Sequence, residues 1–67
     1  MEQFKIVDKN GLTHLVFIGW NRLLSNDQSG IFVHCPSKKL PKNEFHKLGA
    51  FSKALTDLFG NDRLVKV

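Results

Sequence analysis

Polarity alternates along the first third of the chain. Residues 3–9 read QFKIVDK and residues 12–20 read LTHLVFIGW, the second run rich in β-branched and aromatic side chains. A period of two is the signature of strands. Asn10-Gly11 lies between them, a pair favoured in two-residue type I′ hairpin turns. Such a turn sets Lys9 opposite Leu12, Val7 opposite His14, Ile6 opposite Leu15 and Phe4 opposite Phe17. Phe4, Ile6, Leu15 and Phe17 then share one face. Lys5, Val7, His14, Val16 and Ile18 share the other.

Gly19 and Trp20 end or bend this pattern, since a strand glycine often marks a bulge or a close approach. Residues 22–24 are read as a continuation of the strand. The SNDQSG cluster at 25–30 predicts a turn, and 31–35 a third strand ended by Pro36, which has no N–H for the ladder.

From residue 43 the period changes. Phe45, Leu48, Phe51, Leu55, Leu58 and Phe59 recur at helical spacing, which predicts a helix over 43–59. Pro41 or Asn43 would start it, Glu44 would suit its positive end, and Gly60 would end it. Gly49, Ser52 and Thr56 line up beside the apolar face and predict close packing against the sheet. The tail RLVKV offers a short last strand.

The expected fold class is α+β. One small domain spans residues 1–67, a three- to four-stranded antiparallel sheet with one helix packed on one face. The element order is β-β-β-α with a possible final β. One helix covers one face, so Val7, Val16, Ile18 and Trp20 are expected on the bare face, as a protein interface or a homodimer contact.

Length sharpens the need for such a contact. A chain of 67 residues buries only about 60% of its unfolded surface. Small domains often add disulfides, a metal or a partner. The single cysteine, Cys35, excludes an internal disulfide and fits a reducing, cytoplasmic setting. The charged N-terminal stretch has no signal-peptide h-region, and no apolar run nears the roughly 20 residues of a membrane span.

The formal net charge is +4, and it is local. Lys38, Lys39, Lys42, Lys47 and Lys53 face only Glu44 within 35–53, while charges elsewhere cancel. A concentrated excess favours a nucleic acid or another anionic partner. Trp20 is the one aromatic available for base stacking, a thin supply for a single-strand reader.

The same region, FVHCPSKKLPKNEFHK, invites a search for chemistry. His34, Cys35 and His46 lack the paired spacings of zinc sites. His34 and Cys35, adjacent on a strand, point to opposite faces. No metal or cofactor is expected. Cys35 falls on the side of Ile31 and Val33 and reads as a small core side chain. A metal-free ribonuclease could use His34 or His46 beside the lysines, but no recognised signature is present. The carboxylates are scattered, and no phosphate loop or nucleophile elbow is present.

The expected function is therefore non-catalytic: a binding module of inhibitor or adaptor type acting by protein–protein contact. Its size fits an accessory protein of a phage or mobile element. The alternative is nucleic-acid binding through the lysines, and the third reading is the small ribonuclease. The hairpin-and-helix pattern is generic and points to no particular family.

Overall fold

The first hairpin closes one residue away from the expected register. In the computed structural model, which describes residues 1–22 and 29–67, β1 (Glu2–Val7) pairs with β2 (Thr13–Arg22) so that Phe4 faces Val16 and Ile6 faces His14. The Asp8 N–H donates to Leu12 O at 2.8 Å, leaving Lys9, Asn10 and Gly11 in a three-residue loop. The Gly11 N–H donates to Asp8 O at 3.0 Å, and Gly11 sits at φ 81, the left-handed residue such loops require. The Asp8 side chain selects this loop over the two-residue turn. Its Oδ1 accepts the N–H groups of Asn10 (2.8 Å) and Leu12 (3.0 Å).

A slip of one residue sends every side chain of a strand to the other face. Val16, expected on the bare face, is 0% exposed, and Ile18 is buried beside it. Leu15 and Phe17, expected under the helix, lie on the bare face, with Leu15 39% exposed. Phe4 and Ile6 keep their predicted side.

Strand β2 does not end at Gly19; it runs to Arg22 and pairs with β3 (Ser29–His34). A Cβ at Gly19 would lie 3.4 Å from the Met1 side chain, an ordinary contact, so the packing around this position does not require a glycine. The turn expected over 25–30 loses its last two residues to β3, and residues 23–28 lie outside the described residues.

The helix is shorter than its periodicity. Residues Glu44–Phe45 form β4, paired with Phe32 and Ile31 at the edge of β3, and α1 is Leu48–Phe59. The edge of β3 needs backbone partners, and they come from this segment: the Val33 N–H donates to Asn43 O at 2.9 Å. Phe45 is buried as expected, but from a strand, with its ring 5.4 Å from that of Phe51. Leu48, expected on the apolar stripe, is 66% exposed. Phe51, Leu55 and Phe59 carry the buried stripe.

The tail forms β5 (Val65–Lys66) against β1. Among the described residues the result is α+β: a five-stranded antiparallel sheet in the order β4-β3-β2-β1-β5 with one helix. The core gathers Ile6, Val16, Ile18, Ile31, Val33, Cys35 and Phe45 with the three helix residues. Among the described residues, no helix is long and apolar enough to cross a membrane.

Two glycines of α1 test this packing in opposite directions. Gly49 is exposed and a Cβ there meets nothing within 4 Å, so the close packing expected of the small-residue line is absent at this position. Gly49→Ala should raise stability by about 0.5–1 kcal/mol. Gly60 caps the helix at φ 88, its N–H donating to Thr56 O, and a Cβ there would meet Lys9 Cβ at 3.2 Å. Gly60→Ala should cost about 1–2 kcal/mol from the left-handed backbone alone. Urea titration of both variants measures the difference; equal effects of the two would contradict this packing.

Candidate functional site

The register that buries Val16 also brings together a polar cluster. Positions 4, 6, 16 and 18 face the helix, and Asp8 and His14 have the same parity. Both are buried. His14 Nε2 lies 2.7 Å from Asp8 Oδ2, and His14 Nδ1 lies 2.6 Å from Ser37 Oγ on the connector after β3. Cys35 Sγ is 3.5 Å from the same hydroxyl. The His14 ring rests 5.2 Å from the Phe59 ring at the end of α1. Four segments therefore meet at one imidazole.

Bonding fixes the proton positions. An ionised carboxylate only accepts, so Nε2 carries the hydrogen shared with Asp8. In the neutral ring Nδ1 is then the acceptor, and Ser37 O–H donates to it. The Asp8 carboxylate accepts three bonds, from His14, Asn10 and Leu12. Its carboxyl is held below the ordinary aspartate range, first by the His14 bond and then by the backbone N–H groups, with burial working the other way. A carboxyl depressed in the folded state stabilises the fold above its unfolded value, near 3.9, and that stability is lost as pH falls through the folded value. Thermal melts of the wild type and Asp8→Asn should therefore differ most above about pH 4 and converge in stronger acid. A gap that stays constant with pH would contradict this role for Asp8.

The sequence reading passed over this cluster because its register put His14 on the bare face and left Asp8 among turn residues. A signal was present: two polar residues interrupt an otherwise apolar even-numbered set. A polar group on a core face needs a partner there. Ser37 carried no such signal, since only the chain path after Pro36 brings it over His14.

The lysines are divided. Lys38, Lys39 and Lys42 line one groove of about 530 Å³ along the connector. Lys42 and Lys53 line an adjoining groove of about 580 Å³ against the helix, sharing Pro41 with the first. Lys47 lines neither; it is the N-cap residue of α1. Two of the set have local roles. Lys38 Nζ donates to Leu58 O at 3.4 Å, where the helix end is negative, and Lys42 Nζ sits 4.9 Å from the centre of the Phe45 ring.

The histidines of the connector lie elsewhere. His34 projects from the bare face beside Phe17, with ring centres 6.1 Å apart, and His46 pairs with Glu44 at 3.5 Å. Cys35 is buried with the core, on the side its strand position predicts. Among the described residues, no three of His, Cys, Asp and Glu gather in a metal-binding arrangement.

The bare sheet face is the remaining surface. Val7, Leu15, Phe17 and Phe32 alternate with buried residues, and Val65 pairs with Lys5, so all five point away from α1. Val7 stays where it was expected. Trp20 does not: it pairs with Ile31 on the helix side of the sheet, though it is 55% exposed.

Comparison with known proteins adds no relative: no family model, no curated protein and no solved structure matches this chain.

Proposed function

We propose that the protein is a small binding module acting by protein–protein contact, and that a second copy of the chain covers its bare sheet face. The observation carrying this reading is the apolar stripe of Val7, Leu15, Phe17, Phe32 and Val65 opposite the single helix. Large apolar patches with a polar rim mark contact surfaces. Charge favours self-association here. Lys5 and Glu44 lie on this face and offset each other, whereas Lys38, Lys39, Lys42 and Lys53 line the grooves. A twofold arrangement would use the same face on both copies. An adaptor or inhibitor could present its remaining surface to a further protein in that state. The unpaired Cys35 fits work in a reducing, cytoplasmic compartment.

Sedimentation equilibrium at micromolar concentrations tests the contact. The wild type should be dimeric, and Leu15→Lys should be a folded monomer. A wild type that stays monomeric overturns the self-association.

A second reading rests on a separate observation, the shared lining of the two grooves by Lys38, Lys39, Lys42 and Lys53. Nucleic acid could follow that path by its phosphates. Lys39→Glu with Lys42→Glu tests it without disturbing the Lys38 contact to the helix end. Oligonucleotide anisotropy should show lost affinity, and neutral Lys39→Gln with Lys42→Gln should lower the log–log salt slope by about 1.4 for a single strand.

A further inference from the structure

We propose that Ser37 is an activated nucleophile, with His14 as its general base and Asp8 as the positioning residue, and that it accepts acyl and phosphonyl groups from reactive esters and fluorides. This goes beyond the binding reading and does not rest on it. The geometry is that of a nucleophile, a base and an orienting carboxylate in series: Ser37 Oγ to His14 Nδ1 at 2.6 Å, and His14 Nε2 to Asp8 Oδ2 at 2.7 Å. The base and the carboxylate are buried, while Ser37 is exposed to an incoming electrophile. Asp8 is itself held by two backbone N–H groups, which fix the carboxylate where it meets the imidazole.

The ring is used in the reverse sense to the familiar serine triad, in which the carboxylate binds Nδ1 and the hydroxyl Nε2. The chemistry of a base does not depend on that choice. The carboxylate holds the hydrogen on one nitrogen, and the lone pair of the other points at the hydroxyl. The groove lined by Cys35, Pro36, Lys38 and Lys39 flanks Ser37 in the chain and offers positive charge to an acyl group bearing an anion.

With an alkyl fluorophosphonate the step balances simply. Ser37 Oγ forms a bond to phosphorus as its proton passes to His14 Nδ1, the P–F bond breaks, and fluoride leaves. The proton then goes from His14 to water. With an ester the same transfer gives acyl-Ser37, and the leaving alkoxide takes the proton back from His14.

The experiment is labelling of the full chain with an alkyl fluorophosphonate, read by peptide mass spectrometry as a rate at Ser37. General-base assistance is expected to make that rate about 100-fold or more that of N-acetylserinamide. Ser37→Ala should abolish the label without loss of fold, since the residue is exposed. His14→Gln should lower the rate by about 100-fold, and Asp8→Asn by about 10-fold or more. The groups around the imidazole are Asp8 at the end of β1, Cys35 beside Ser37 on the connector, and Lys38, whose Nζ is 6.0 Å from the Phe59 ring that His14 packs on. The wild-type rate against the free serine derivative needs no variant, so that comparison stands even where a core variant fails to fold. No label at Ser37, or a rate equal to that of the free serine derivative, would overturn the proposal.

Discussion

Val16→Lys is expected to unfold the protein, while Leu15→Lys leaves it folded. Val16 is 0% exposed and sits in the core between sheet and helix. A lysine there must bury an unpaired ammonium or force the helix off the sheet, and either costs several kcal/mol. A domain of this size has a total stability of roughly 3–10 kcal/mol, so the loss is comparable to the whole. Leu15 is one residue away and points out of the bare face, where a lysine stem can lie along the surface with its charge in water. Its cost should stay under about 1 kcal/mol. Circular dichroism melts of the two variants decide the register directly. A folded Val16→Lys with an unfolded Leu15→Lys would restore the two-residue turn that Asn10-Gly11 suggested.

The second large effect is at Phe59. Its ring is almost fully buried and packs on His14, and its carbonyl accepts the Lys9 N–H at 3.0 Å. The side chain therefore packs the helix end against the polar cluster, while the backbone carbonyl ties that end to the hairpin loop. Phe59→Ala should cost about 3–5 kcal/mol, the sum of lost burial and a residual cavity. Phe59→Leu, which keeps most of the volume, should cost about 1–2 kcal/mol. Urea unfolding of both variants measures this, with an unchanged m-value showing that only stability has moved. A loss below 1 kcal/mol for Phe59→Ala would contradict the packing of the helix end on His14.

These two positions differ in how they could be read. Phe59 was legible because its place in the 3.6-residue stripe does not depend on anything outside the helix. The helix core from Phe51 to Phe59 and its end at Gly60 were legible for the same reason, and so were three strands and the sidedness of Cys35. Val16 was not, because alternation says which residues share a face but not which face is covered. Its side hung on the length of one turn. Asn-Gly favours a two-residue loop, but the Asp8 carboxylate, by holding the N–H groups of Asn10 and Leu12, settles the chain into a three-residue one.

Glu44 and Phe45 show a second limit. Their spacing continues the helical stripe, yet the open edge of β3 draws their backbone into a ladder, and periodicity contains no information about an unpaired edge elsewhere. The lysines show a third. Composition placed the positive charge between residues 35 and 53, but only the fold sets Lys38, Lys39 and Lys42 along one groove, ties Lys38 to a helix carbonyl and leaves Lys47 outside it. Sequence alone thus determined the class of fold, the helix stripe and the location of the charge, all of which follow from local period and composition. Tertiary structure alone decided which sheet face is covered, and it alone joined Asp8, His14 and Ser37. Those outcomes depend on chain paths and on hydrogen bonds between residues as far as 23 positions apart, which no local pattern encodes.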